Sequence, residues 1–506
     1  MILNKTKNTT RNIIFGSVLK IYQIILPFVF RTVMLYTLGV QYLGLNSLFT
    51  SVLEVLNLAE LGVGSAMVFS MYKPIAEDDS ITICALMKLY RLYYRIIGIV
   101  ILVIGLACTP FIPRLINGEV PANINVYILY ILNLSATVLT YWLFAYKNSI
   151  LQAHQRQDVK SKVTIITDTL KYGMQLIALI AFKNYYLYVI CILISQVLSN
   201  ILTAIIADKM YPDYKPLGDL PEKAVKAINQ RIRDLFTAKL GGTIVSSADT
   251  IVISAFLGLK VLAMYQNYYY ILNAVMSFII IINNSALAGI GNSMITNSRE
   301  KNYKDFEVFS FIEFWIIGFC ICCFSTLYQP FMSIWMGKEL LFDYPMVVLL
   351  CLYFLGNQFE KMLSTFKDAG GIWHEDRFRP LIYGLANLFI NIILVQFIGI
   401  YGVVLSTILT VFGISIPWII HNVFKLVFKQ SCKEYLKKLA YYLIIIVISV
   451  VCCNIVGNLF RGNDYVLFLL RGIISVILSN IIFVLAYHKM NEFTATMKIV
   501  KRVLRR

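Results

Sequence analysis

Residues 13–38 read IIFGSVLKIYQIILPFVFRTVMLYTL, with Lys20 and Arg31 as the only charges. A helix needs about 20 mostly apolar residues to cross hydrocarbon, and this stretch supplies them. Blocks of the same kind fill the 506-residue chain, which is 59% hydrophobic and 14% charged. Soluble domains run about 45–50% apolar and about 25% charged, so an ordinary soluble fold is excluded. Fourteen segments qualify as spans, at about 13–38, 43–71, 92–113, 124–146, 163–182, 184–207, 235–258, 261–295, 308–334, 345–366, 381–398, 400–422, 439–459 and 466–488. The expected fold is an all-α integral membrane protein with 14 transmembrane helices.

Lys and Arg in short loops set the orientation, because cytoplasmic loops retain positive charge. With both termini cytoplasmic, the outside loops carry only Arg114, Lys183, Lys260, Lys338 and Arg461. The net charge of +18 then collects on the side of anionic lipid headgroups, including the tail Lys498, Lys501, Arg502, Arg505 and Arg506. Membrane lipids account for it, and nucleic acid is not needed as a partner. The ten cysteines form no Cys-x-x-Cys pair and have no histidines at zinc spacing, so no metal site is expected. No cleavable signal is evident ahead of the first span.

The chain repeats itself. An offset of about 219 residues lays Lys20 on Lys239, Leu38-Gly39 on Leu257-Gly258 and Leu53 on Leu272. The run Gly62 to Met67 (GVGSAM) matches Gly289 to Met294 (GIGNSM), and Lys147 and His154 match Lys367 and His374. The expectation is two pseudosymmetric six-helix lobes plus two C-terminal helices. The lobes are placed at 1–208 and 235–430, joined by a cytoplasmic linker with a surface helix at 209–234, and the appended helices with a basic tail at 431–506. Six crossings per lobe bring both lobes in from the same side, with the substrate path between them.

Eleven ionisable residues fall inside the spans: Lys20, Arg31, Glu54, Glu60, Asp168, Lys171, Lys239, Asp249, Glu313, Glu360 and Arg471. A charge at the bilayer centre costs at least about 2.5–3.5 kcal/mol, so most must face protein or water. Lys20 and Arg31 share one face of the first helix, and Lys239 repeats the cation in the seventh. Lysines facing one cavity suit an anionic substrate such as a phosphate group. Asp168 and Lys171, three apart, can satisfy each other. Glu54 and Glu60 either hydrogen-bond within helix packing or, with Asp249, couple transport to an ion, H+ or Na+. Lys88, Arg91 and Arg95, at helical spacing, either receive a lipid headgroup or anchor the inner face. His154 and His374 read as loop residues, and Glu360 is close enough to a cytoplasmic end to snorkel.

Catalysis requires a nucleophile, a base and an orienting group to converge, or a metal. The chain has no Gly-rich phosphate loop, no His-Glu-x-x-His and no Gly-x-Ser-x-Gly, and Asp78-Asp79 is a lone carboxylate pair. No enzyme, catalytic residue or cofactor is expected. A membrane glycan polymerase would need a sizeable outer loop, and the outer loops are short.

The stretches Arg31–Gly39 (RTVMLYTLG), Tyr42–Thr50 (YLGLNSLFT) and Leu56–Gly64 (LNLAELGVG), then Tyr72-Lys73-Pro74, resemble the opening of the Wzx-type polysaccharide flippases. These belong to the multidrug, oligosaccharidyl-lipid and polysaccharide exporter superfamily. The resemblance implies a V-shaped cavity between two lobes in the bacterial cytoplasmic membrane. It also implies transfer of undecaprenyl-diphosphate-linked oligosaccharides between leaflets for capsule, O-antigen or exopolysaccharide. On that pattern Lys20, Arg31 and Lys239 bind substrate, Asp249 stands nearby, and polymerase and chain-length proteins are pathway partners. Thr250 aligns with Arg31, so the arginine is not duplicated. The alternative is a cation-coupled drug or metabolite antiporter of the same superfamily, with a more acidic cavity.

Overall fold

The computed structural model describes residues 5–60, 62–460 and 463–504; Arg461, Arg505 and Arg506 lie outside them. It divides into two compact units, Met1–Ala263 and Met264–Arg506. Every described element is helical.

The first unit contains α1 (Lys5–Thr37), α2 (Val40–Leu56), α3 (Val63–Ala76), α4 (Ser80–Cys108), α5 (Val126–Trp142), α6 (Asn148–Ala153), α7 (Gln157–Ile180) and α8 (Tyr185–Met210). It ends within α9 (Glu222–Thr296). Short polar side chains start these helices by accepting from orphan N–H groups. Asp79 accepts from Thr82, Asn125 from Tyr127 and Asn184 from Leu187. α7 packs between α1 and α8, and α5 between α4 and α8. Leu45, Leu48, Met67, Met71, Met87 and Leu129 are buried in this unit. At the polar interface of α1 and α7, the Tyr22 and Thr169 hydroxyls lie 2.6 Å apart, and Phe30 sits 4.6 Å from Tyr172.

The second unit is built on α10 (Arg299–Met336), which touches α11 (Tyr344–Ala369), α15 (Lys433–Asn458), α16 (Asp464–Tyr487) and α17 (Asn491–Leu504). α12 (Arg379–Ile398) pairs with α13 (Ile400–Thr410), and π-helical turns carry the chain on through α14 (Ile416–Asn422). Aromatic rings fill the centre, with Phe306 in contact with Phe366, Phe424, Phe428 and Tyr435.

Two pairs of glycines 219 residues apart share a positive φ. Gly39 (φ 109°, ψ 171°) ends α1, and Gly258 (φ 86°, ψ 175°) breaks α9 in the same conformation. Gly118 and Gly337, at the same offset from each other, have φ of 86° and 84°. Side chains with a Cβ are nearly excluded from such conformations, so the glycines fix equivalent bends in both halves. The second Gly-x-Gly match is not equivalent. Gly62 (φ 91°) lies where a Cβ would meet Leu235 and Ile232 of α9 within 3 Å, whereas Gly289 and Gly291 face open space.

Among the described residues, eleven helices are long and apolar enough to cross a membrane, or twelve if α5 and the segment Ala145–Ala153, bent by 51°, form one span. Fourteen separate continuous spans are not found among the described residues. The expected span 43–71 is interrupted by a 3-10 turn at Asn57–Glu60 and the left-handed Gly62. The seventh and eighth expected spans form one 75-residue run broken only at Gly258. The expected surface helix in 209–234 is continuous with that run, since from Glu222 to Leu240 no proline or glycine stops it.

Candidate functional site

Among the proposed substrate-binding cations, Lys20 is exposed on α1 and has no ion pair or hydrogen bond among the described residues. Arg31, three turns along, is half-buried beside Tyr188 of α8. Lys239 is exposed on α9, and its Nζ donates to Ser65 Oγ of α3 at 3.2 Å. Ser65 is neutral, so Lys239 is oriented without being neutralised.

The acidic candidates separate into three environments. Glu54, exposed on α2, accepts from Ser246 Oγ at 3.1 Å and Ser247 Oγ at 3.2 Å, which ties α2 to α9. Glu60 is half-buried in a tyrosine cage, accepting from Tyr94 at 2.6 Å and Tyr141 at 2.7 Å, while Tyr90 donates to Tyr94 at 2.7 Å. Asp249 is buried on α9. Thus the N-terminal half of α9 rests on α2 and α3 along a polar seam. Arg231 stacks 4.7 Å over Phe69 and donates to Ser70 at 3.3 Å at one end, and Glu54 closes the other. Nothing in the spacing of Ser65, Ser246 and Ser247 marks them in the sequence, because serine is common in apolar helices.

Lys88 pairs with Asp219 at 2.9 Å, an exposed surface contact worth little. Arg91 and Arg95 lie near Tyr146 instead. Asp168 and Lys171 pair at 2.7 Å as their spacing predicts, and Lys171 also lies 4.3 Å over Tyr172.

Each unit also buries one aspartate among cations. Asp158, at the start of α7, is fully buried against Arg156 at 2.9 Å, with Lys162 at 3.7 Å and Arg11 at 3.9 Å. Asp376, just before α12, meets Arg379 at 2.7 Å and Lys367 at 3.0 Å. Arg379 also binds Glu360 at 2.6 Å, so Glu360 is held in an ion pair rather than snorkelling. A two-residue slip relative to His154 and His374 hides this second repeat in the sequence. His154 is a buried packing residue, between Tyr211 at 4.3 Å and Tyr214 at 5.6 Å; desolvation holds its imidazole below the ordinary value. On the second unit, an open, wholly apolar surface groove of about 490 Å³ lies between Leu327 of α10 and Phe468, Gly472, Ile473 and Val476 of α16.

The comparisons with known proteins agree with this architecture. A model of the family described as "Polysaccharide biosynthesis protein" matches residues 9–288. Among solved structures, the lipid II flippase MurJ in an inward closed conformation is similar at 16% identity and a TM-score of 0.69, over 94% of this chain and 99% of that one. An inward-facing multidrug-resistance MATE transporter of the MOP superfamily is similar at 14% identity and a TM-score of 0.62, over 80% and 95%. The eukaryotic MATE transporter AtDTX14 is similar at 12% and 0.55, over 84% and 97%. No curated protein matches the chain in sequence. At these identities the structural likeness concerns fold alone: the chain shares the helical fold of MurJ and of the MATE transporters, in a multi-pass membrane protein. The match over more than half of its length shows that the chain belongs to the polysaccharide biosynthesis protein family.

Proposed function

We propose that the chain is a flippase carrying undecaprenyl-diphosphate-linked oligosaccharides across the bacterial cytoplasmic membrane for capsule, O-antigen or exopolysaccharide synthesis. The observation that carries the reading is a pair of uncompensated cations at matching repeat positions. Lys20 has no partner among the described residues, and Lys239 has only a neutral hydroxyl. A cation left without a carboxylate in a membrane span is costly unless it faces water or an anion, and a diphosphate is such an anion. Lys20, Arg31 and Lys239 bind the headgroup, and the lipid tail stays in the bilayer. Rocking of two lobes then exposes the sugar to each side in turn.

In this reading the interrupted α2–α3 pair forms one crossing and α9 contributes two, separated by Gly258, which gives fourteen crossings with both termini in the cytoplasm. Glu54, Glu60 and Asp249 are the candidates for coupling to H+ or Na+. Polymerase and chain-length proteins are the expected pathway partners. The test replaces Lys20 and Lys239 separately with Ala and measures lipid-linked glycan in the inner leaflet and glycan at the surface. Accumulation inside with loss outside is expected, and unchanged surface glycan in both variants refutes the reading. A drug or metabolite antiporter is the second reading, favoured by the likeness to MATE structures; it predicts normal glycan in both variants and loss of toxin resistance instead.

A further inference from the structure

The second unit contains a carboxyl group that the substrate site does not use. Glu313, midway along α10, is 1% exposed, and neither of its oxygens has a hydrogen-bond partner among the described residues. Beside it stands the fully buried Asn283 of α9, whose Oδ1 accepts from Thr365 Oγ1 of α11 at 3.4 Å. Three helices therefore bring a carboxyl, a carboxamide and a hydroxyl to one enclosed place. The next residue, Phe314, packs on Phe359 of α11 at 5.2 Å and Tyr442 of α15 at 5.7 Å.

The ionisable groups around it supply no countercharge. On α10 itself, Cys320 has no cationic form, and Glu307 is occupied with Lys438 of α15 at 2.7 Å. That lysine also holds Glu492 of α17 at 2.5 Å. Glu360 of α11 is taken by Arg379. Tyr442 of α15 presents a ring to Phe314, and Tyr487 of α16 presents one to Trp315. An isolated carboxylate in an apolar interior is so costly that it must be neutralised, and among the described residues no side chain is seen to do so.

We propose that Glu313, Asn283 and Thr365 form a buried exchange site for one small cation in the second unit. The cation is either a proton, which binds one carboxylate oxygen to give a neutral acid, or a sodium ion held by the carboxylate with the Asn283 and Thr365 oxygens. The proposal rests on the geometry of this unit and does not require the flippase reading.

The experiment uses the full chain in lipid vesicles and records infrared difference spectra of the carboxylic-acid stretch between about pH 4 and 9, in sodium and in choline. The wild type is expected to lose one acid band as pH rises, and Glu313→Gln to lack that band at every pH. If sodium at constant low pH also removes the band, sodium competes for the site; if it has no effect, the cation is the proton. Asn283→Leu keeps the carboxyl and is expected to shift the midpoint of the band's loss, which provides a second readout if Glu313→Gln fails to fold. Coincident wild-type and Glu313→Gln spectra overturn the proposal, as does a Glu313 acid band that neither pH nor sodium removes. Glycan accumulation in the Lys20 and Lys239 variants is a separate measurement, so either idea can fail alone.

Discussion

Replacing Gly39 and Gly258 with Ala, one at a time, separates two costs that usually come mixed. Both glycines have a large positive φ with ψ near 175°, so a Cβ forces similar backbone strain at either, about 1–3 kcal/mol. Their surroundings differ. A Cβ at Gly39 meets nothing within 4 Å, whereas at Gly258 it meets the Asn117 carbonyl oxygen at 2.6 Å. That contact is too close to keep, and Asn117 is itself fixed by two bonds to α9. Its N–H donates to the Ser254 carbonyl at 2.9 Å, and its Nδ2 donates to the Phe256 carbonyl at 2.6 Å. Moving Asn117 away forfeits up to two hydrogen bonds, each worth about 0.5–1.5 kcal/mol net. Gly39→Ala should therefore cost about 1–3 kcal/mol and Gly258→Ala about 2–6 kcal/mol. Denaturant titration of both variants in detergent, followed by loss of helical signal and by gel filtration, checks the order. A Gly39→Ala loss equal to or larger than that of Gly258→Ala refutes the role given to Asn117, and no loss in either refutes the backbone argument itself.

Three further outcomes follow from the charged clusters. Glu60→Gln leaves one oxygen for two tyrosine hydroxyls, so it should lower stability by about 1–3 kcal/mol; in a double-mutant cycle with Tyr94→Phe the two losses should not add, and full additivity would contradict the cage. Asp376→Asn should be the more damaging of the two buried-aspartate substitutions, near the about 3–5 kcal/mol typical of a broken buried pair. Its cations Arg379 and Lys367 are buried, whereas Arg11 and Lys162 around Asp158 are over a third exposed and can rehydrate; comparison of the two unfolding midpoints decides it. His154 takes up a proton in the unfolded chain near pH 6.5 but resists it when buried. The stability it contributes is thus complete above that pH and falls as pH drops through it toward the folded value. Thermal melts of wild type and His154→Gln between about pH 7.5 and 5 should diverge only at the acid end.

Hydropathy made the membrane class and most helices legible, because the solvent constraint acts on every residue of a span. Break points were less legible. Gly39 and Gly258 signalled themselves by recurrence, yet Gly62, which ends a 3-10 turn inside an apolar run, left the pattern uninterrupted and so hid the division of α2 from α3. The Asp168–Lys171 pair was readable because it is local. The Glu54 clasp joins residues 192 and 193 positions apart, and the Glu60 cage joins residues 34 and 81 apart. No one-dimensional spacing encodes such contacts, so whether a membrane glutamate was packed or working could not be settled from periodicity.

The distribution of compensation sorts these charges by role better than their positions do. Asp158, Asp376 and Glu360 each have cationic donors matched to their oxygens, and such groups hold helices in register. Glu54 and Glu60 are intermediate, since two neutral hydroxyls apiece orient them without cancelling their charge. Lys239, exposed with one neutral hydroxyl, and Lys20, exposed with no partner among the described residues, lie at the far end of that scale. Removing a matched charge orphans its partners and should cost stability; removing an unmatched one frees nothing and should leave stability intact or raise it. Lys20→Ala and Lys239→Ala should therefore fold at least as well as the wild type while losing transport. Destabilisation by either would mean that the lysine supports the helix bundle and would remove it from the substrate site.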